Sequence, residues 1–188
     1  LHISGKISGT FSSVVQAAKE LSGELNIYPF DSGAGSAALG FMCREARLLD
    51  RAGLSVQEIL NKLENIKNRL TVIFTVDNLE FARLNGRVNA LQSAVSSMLN
   101  IKPIIILRDG LLQMGDKVRT RSKSIERILE TVRSRVGTKK VNIAIVHAND
   151  LIAAKALMEK AKKLFNIKEM VVSDLSIPVA ANLGPGTV

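Results

Sequence analysis

Hydrophobic positions along this chain switch repeatedly between the spacing of a helix and that of a strand. From Phe11 to Leu25 the apolar residues Val14, Val15, Ala18 and Leu21 recur at helical intervals. Ile27 to Phe30 is a short apolar run ending in Asp31-Ser32-Gly33, and it predicts a strand entering a turn. Ala37 to Arg51 is helical again, with Gly53 where a left-handed C-terminal cap belongs. Ser55-Val56-Gln57-Glu58 has the spacing of a capping box, in which a hydroxyl and a carboxylate each satisfy a backbone N–H. It predicts a helix from Val56 to about Arg69.

The second half repeats the alternation. Thr71 to Val76 is β-branched and aromatic, as a buried strand requires, and Leu79 to Leu84 and Val88 to Leu99 predict two helices around Asn85-Gly86. Pro103 to Leu107 is a strand, and Asp109-Gly110 is a hairpin signal leading into Leu111 to Val118. Ser122 to Val136 predicts a basic helix closed by Gly137. Val141 to Val146 predicts another buried strand, with Asn149 or Asp150 capping the helix that runs to Phe165. A β-rich stretch from Met170 to Ala180 then leads into Gly184-Pro185-Gly186.

Strands alternating with helices imply an α/β chain with a largely parallel sheet, made mixed in its second half by the hairpin. Residues 1–69 are expected to form one α/β unit and residues 70–188 a second. The first has too few strands for a complete sheet layer, so the chain reads as part of a larger protein. Its 188 residues suffice for a real core.

Composition narrows the chemistry. Aromatic residues are 4% of the chain, with no Trp and one Tyr, which disfavours base stacking and carbohydrate platforms. The single Cys43 lies among apolar neighbours and is expected to be a buried thiol in a reducing, cytoplasmic setting. No apolar run is long enough for a membrane span, so no stable membrane insertion is expected. The formal charge of +9 gathers most densely in Lys117-Val118-Arg119-Thr120-Arg121-Ser122-Lys123. Such a stripe suits an acidic partner, or it is simply a solvated helix face.

The candidate chemistry sits at the start. Ser8-Gly9-Thr10 precedes a helix whose first turn holds Ser12 and Ser13. Unpaired N–H groups and the positive end of the helix dipole attract anions there, Gly9 permits close approach, and the hydroxyls add donors. The same pattern also fits a plain helix cap. Gly33-Ala34-Gly35 has two of the three glycines of a dinucleotide loop, but Ala38 fills the third position and no acidic residue ends a following strand at the right distance, so a turn allowing tight helix–strand packing is the favoured account. Two distant His residues and one Cys make no metal set, and neither a Walker sequence nor a G-x-S-x-G elbow occurs.

The segment Ser4-Gly5-Lys6-Ile7-Ser8-Gly9-Thr10-Phe11-Ser12-Ser13 resembles the "LSGTY-S" segment of the DegV family. Other motifs follow in order. Asp31-Ser32 resembles that family's strand-end pair, Asp77-Asn78-Leu79-Glu80-Phe81 its "DTLEYL", and Asn85-Gly86-Arg87-Val88 its "GGRI". Leu99-Asn100-Ile101-Lys102-Pro103-Ile104 resembles "LNIKPI". Asp109-Gly110, Lys117-Val118-Arg119, Val146-His147-Ala148 and Gly184-Pro185-Gly186 complete a series that covers the chain.

The resemblance implies a two-domain α/β fold with a partial Rossmann-like first domain and a mixed-sheet second domain. It implies a carrier, not an enzyme and without a cofactor, that binds a long-chain fatty acid in a buried tunnel. The acid's carboxylate would be presented to a separate fatty-acid kinase, which makes an acyl phosphate for phospholipid synthesis. By position, Ser8 would hydrogen-bond the carboxylate, with Gly9, Thr10, Ser12 and Asn182 around it. Arg87 and Arg119 would serve kinase docking or phosphotransfer, or else lock an interdomain ion pair.

Two departures stand out. The family's amino-terminal region, with a threonine that shares the carboxylate, has no counterpart here, and Asn182 occupies a position the family usually gives to His. Asn can hydrogen-bond a carboxylate but cannot hold a proton charge, which bears on phosphotransfer more than on lipid binding. A tail of about 15 methylenes at roughly 0.8 kcal/mol each outweighs any head-group contact, so the tail supplies affinity and the turn orientation. The competing expectation is a basic regulatory or nucleic-acid-binding protein. Its binding would depend steeply on salt rather than on tail length.

Overall fold

The computed structural model describes residues 1–86 and 101–188. It is a mixed α/β structure that divides into two compact units. The first comprises Leu1–Val72 with Leu107–Leu111, and the second Ile73–Ile106 with Leu112–Val188. The helix expected at Val88 to Leu99 lies outside the described residues.

The first unit contains α1 (Thr10–Glu20), α2 (Ser36–Arg51) and α3 (Val56–Lys67). α2 ends in a Schellman motif: Gly53, at φ +82°, donates to Asp50 at 2.9 Å, and Leu54 donates to Leu49 at 3.2 Å. The capping box of α3 is formed, with Ser55 N–H donating to Glu58 Oε2 at 2.8 Å and Glu58 N–H to Ser55 Oγ at 3.4 Å. α2 packs on α3, burying Met42 and Leu63.

Two expectations for this unit are corrected. Cys43 is exposed, and its neighbour Met42 is the fully buried residue, because adjacent helix positions point about 100° apart. Ile27 to Phe30 forms no strand; only a single parallel bridge, His2 to Asp31, joins this segment to the first residues. A strand exists through the ladder it joins, and the backbone contacts of the first residues fall on Phe30 to Ala34, past most of the expected run.

The second unit holds β1 (Val72–Thr75), α4 (Glu80–Leu84), β2 (Lys102–Arg108), β3 (Leu111–Val118), α5 (Arg121–Val136), β4 (Val141–His147), α6 (Leu151–Leu164), β5 (Ile167–Asp174) and α7 (Ile177–Leu183). Val72, the first residue of β1, and residues 107–111 at the hairpin tip between β2 and β3 cluster with the first unit. At that tip Asp109 has φ +52° and Gly110 φ +77°, the pair of positive values that a type I′ turn demands.

Among the described residues the strands form a three-stranded sheet, β1-β2-β3, and a parallel pair, β4-β5, aligned from Val141↔Ile167 to His147↔Asp174. The C-terminal residues join the two. Val188 exchanges backbone hydrogen bonds with Thr75 at 2.9 and 3.1 Å, while Thr187 O accepts from Ala148 N–H at 2.9 Å and Gly186 N–H donates to Ala148 O at 2.8 Å. One apolar cluster, with Ile125, Leu129, Ile145, Ala154 and Leu157, fills the space between α5, α6 and β4. A second, with Val76, Leu79, Ala82 and Ile105, lies under α4.

α7 corrects the β-rich expectation for Met170 to Ala180. The strand ends at Asp174, and Pro178 in the first turn of the next element has its φ already set for a helix. Asp150, rather than Asn149, caps α6: its carboxylate accepts from Ala153 N–H at 3.0 Å, while Asn149 takes φ +52°.

Candidate functional site

The loop before α1 is held by residues that flank it. Leu1 to Ser4 runs beside Phe30 to Ala34, with His2 N–H donating to Phe30 O, Ser32 N–H to His2 O and Ser4 N–H to Ala34 O at 3.0, 3.1 and 2.8 Å. Asp31 ties the two segments with both carboxylate oxygens, accepting from Gly5 N–H at 3.2 Å and from Gly33 N–H at 2.8 Å. Gly33 has φ +59°, and a Cβ there would stand 3.0 Å from Lys67 Cε. The positive φ is what calls for glycine at this position. Burial holds the His2 imidazole below its ordinary pKa.

Ser4 is fully buried. Its hydroxyl donates to Gly110 O at 2.8 Å and accepts from Lys6 N–H at 3.3 Å. Its carbonyl accepts from both Ile7 N–H and Ser8 N–H at 3.1 Å. Lys6 Nζ donates to Asp109 O at 2.8 Å. Residues 4 to 8 therefore form one tight turn, anchored through Ser4 and Lys6 to two successive carbonyls of the hairpin tip.

That turn delivers Ser8. Its Oγ lies 2.9 Å from Thr10 Oγ1 and accepts from Thr10 N–H at 3.3 Å. Gly9 precedes the helix at φ −70° and ψ −8°, and makes no side-chain cap. The first intrahelical bond runs from Ser13 N–H to Gly9 O at 3.1 Å, which leaves Phe11 and Ser12 N–H without acceptors among the described residues. Gly9 and Thr10 are exposed. A Cβ at Gly9 would meet nothing within 4 Å, so no neighbour among the described residues requires glycine there. Ser12 is exposed and about 200° around the helix from Thr10, so its N–H, not its hydroxyl, shares the end where Ser8 and Thr10 meet. The start of α1 thus gathers two hydroxyls beside helix N–H groups that find no acceptor among the described residues.

The other predicted residues are placed differently. Arg87 lies outside the described residues. Arg119 is exposed, between β3 and α5, and pairs with no carboxylate among the described residues. Asn182 turns its amide back along α7, donating to Pro178 O at 2.7 Å. Part of the basic stripe is neutralised: Arg121 meets Asp150 at 2.7 Å, and Arg127 meets Asp116 at 2.7 Å and Glu130 at 2.9 Å.

Gly184-Pro185-Gly186 packs on Asp77-Asn78-Leu79-Glu80-Phe81. A Cβ at Gly184 would strike the Phe81 ring, and one at Gly186 would strike the Asp77 carboxylate, whose Oδ1 also holds Lys102 Nζ at 2.8 Å. Thr187 Oγ1 donates to Gly184 O at 2.8 Å. Thr75 Oγ1 and His147 Nδ1 are buried without hydrogen-bond partners, the latter 3.4 Å from Asp174 Oδ1.

Ser4 had no role in the sequence-based site beyond opening the motif. Buried Ser is uncommon, and only the approach of the hairpin tip reveals why it is there. No group of His, Cys, Asp and Glu among the described residues could hold a metal ion, and no helix among them is long and apolar enough to cross a membrane.

Comparison with known proteins accounts for the ordered motifs. A family model described as "Uncharacterised protein, DegV family" matches residues 1–188. A Thermotoga maritima relative named fatty acid-binding protein is 31% identical over 191 residues, covering 100% of this chain and 66% of its own. A Thermus thermophilus DegV family structure, described by its fatty acid binding, is 33% identical with a TM-score of 0.89, covering 100% of this chain and 67% of that one. The Bacillus subtilis structure, DegV, described as a fatty acid binding protein, is 32% identical with a TM-score of 0.87 and the same coverage. The chain spans about two thirds, 66%, of the first curated relatives it matches. With the whole length matched by the family model and the fold shared with its solved structures, the chain belongs to the DegV family.

Proposed function

We propose that the protein binds a long-chain fatty acid and presents its carboxylate to a fatty-acid kinase, acting as a carrier rather than an enzyme. The observation that carries this reading is the open turn at Ser8-Gly9-Thr10: two hydroxyls 2.9 Å apart beside helix N–H groups without acceptors, with a glycine that no neighbour needs among the described residues. A carboxylate fits that donor set, and a positive helix end favours its charge. Family relatives named for fatty acid binding support the tail.

In this reading residues 1–69 supply the head-group turn and residues 70–188 the second domain. Ser8 and Thr10 hydrogen-bond the carboxylate, Gly9 and Ser12 offer backbone N–H groups, and Asn182 stands at the position the family gives to His. Arg87 and Arg119 serve the kinase step, and the protein works in the cytoplasm without inserting into a membrane.

The intact protein purified from bacteria is expected to carry a long-chain fatty acid, detected by native mass spectrometry and organic extraction. A clean apo mass with no such acid in the extract overturns the reading. Ser8→Ala should weaken retention, whereas Arg119→Ala should leave retention unchanged and slow phosphorylation by the kinase. Equal loss of retention in both variants contradicts the assigned roles.

A further inference from the structure

We infer that Ser4 is a positioning residue for carboxylate recognition, acting through Ser8 by fixing the head-group turn to the hairpin tip at Asp109-Gly110. This rests on the fatty-acid reading above.

Besides Asp31, which takes Gly5 N–H at 3.2 Å, the turn is held through Ser4 and Lys6. Ser8 touches a prospective anion, yet its backbone is held by Ser4, whose carbonyl takes both Ile7 and Ser8 N–H. Ser4 is in turn held at its N–H by Ala34 O and at its hydroxyl by Gly110 O. A buried serine with both its donor and its acceptor engaged cannot rotate its hydroxyl without stranding a polar group away from water. Lys6, two residues on, grips the adjacent carbonyl of the same tip at 2.8 Å. The Oγ of Ser8 thus takes its location from a contact made four residues earlier.

Positioning and mere stabilisation have different consequences. Loss of stability affects every ligand alike. Loss of position affects only the ligand with a carboxylate, because tail burial does not depend on where Ser8 points. The probes are therefore palmitate and hexadecanol, which share a tail length and differ in the head group. Affinities for both would be measured on the intact, delipidated protein for wild type, Ser4→Ala, Ser8→Ala and the double variant, together with their melting midpoints.

Ser8→Ala is expected to lower the palmitate-over-hexadecanol preference by roughly tenfold, the loss of a hydrogen bond to a charged group. Ser4→Ala is expected to lower it by a similar factor while hexadecanol affinity stays near wild type. The double variant should lose no more than Ser8→Ala alone, since one residue acts through the other. A wild-type preference in Ser4→Ala, equal losses of acid and alcohol, or a double-variant loss equal to the product of the singles overturns the inference. If Ser4→Ala does not fold, Ser4→Cys, close in shape but a weak donor, is read against the same criteria. Wild type that binds neither probe refutes the fatty-acid reading and this inference with it. Wild type that binds both equally refutes the carboxylate role of the turn.

Discussion

The buried hydroxyl of Ser4 donates to the carbonyl of Gly110, 106 positions away, at 2.8 Å. Gly110 is itself constrained: φ is +77°, and a Cβ would stand 2.6 Å from Ser4 Oγ. Gly110→Ala therefore forces both a left-handed alanine and a clash with the serine, and should cost about 2–3 kcal/mol in urea denaturation. Gly9→Ala is the control, since φ there is −70° and the space is open. Its stability should stay within about 0.5 kcal/mol of wild type, while fatty-acid retention falls, because only a ligand would meet the new methyl.

The glycines of the C-terminal motif separate two costs. Gly53, Gly184 and Gly186 have nearly the same φ, +82°, +82° and +78°. Gly53 faces open space, whereas Gly184 and Gly186 face Phe81 and Asp77. Gly53→Ala should cost about 1 kcal/mol, the backbone conformation alone. Gly184→Ala and Gly186→Ala should each cost roughly 3 kcal/mol, with the excess measuring the clash. Denaturation midpoints that are equal for Gly53→Ala and Gly184→Ala would contradict this packing.

The capping box gives a pH dependence. The Ser55 hydroxyl, followed by the Ser55 N–H, holds the Glu58 carboxyl below its usual value of 4.5. A depressed folded value means that ionised Glu58 stabilises the fold above pH 4.5 and that this contribution disappears as pH falls through the folded value. The melting-temperature gap between wild type and Glu58→Ala should be widest near neutral pH and close in acid. A gap that widens on acidification would reverse the sign.

Asp150 has two tasks. One carboxylate oxygen caps α6 through Ala153 N–H, and the other holds Arg121 Nη2 at 2.7 Å. Arg121 Nη1 is already buried without a partner. Asp150→Asn keeps the cap and loses the charge, while Asp150→Ala loses both and strands the guanidinium. Stability should fall in that order, by about 1 kcal/mol and about 2–3 kcal/mol in chemical denaturation.

Within the proposed site, the part made by near neighbours was legible before the fold was known. Ser8, Gly9 and Thr10 announce a helix start rich in donors, and the structure brings two of those hydroxyls to 2.9 Å. Ser4 was not legible, because what makes it important is a carbonyl on a distant hairpin. The use of Asn182's amide within α7 depended on recognising a helix where β-branched residues had pointed to a strand.

The sequence by itself determined the features whose energies are local. The Ser55–Glu58 box, the Gly53 cap and the Asp109-Gly110 turn each join residues a few positions apart, so their chemistry is written in adjacent letters. Only the tertiary structure decided what depends on distant partners. Ile27 to Phe30 joins no ladder among the described residues, and Met42 rather than Cys43 is the buried one. Gly184 and Gly186 are fitted to Phe81 and Asp77, and Ser4 is fitted to Gly110. A residue's local preference is set by its own backbone and side chain, but burial and pairing are set by whatever surface the folded chain brings to it.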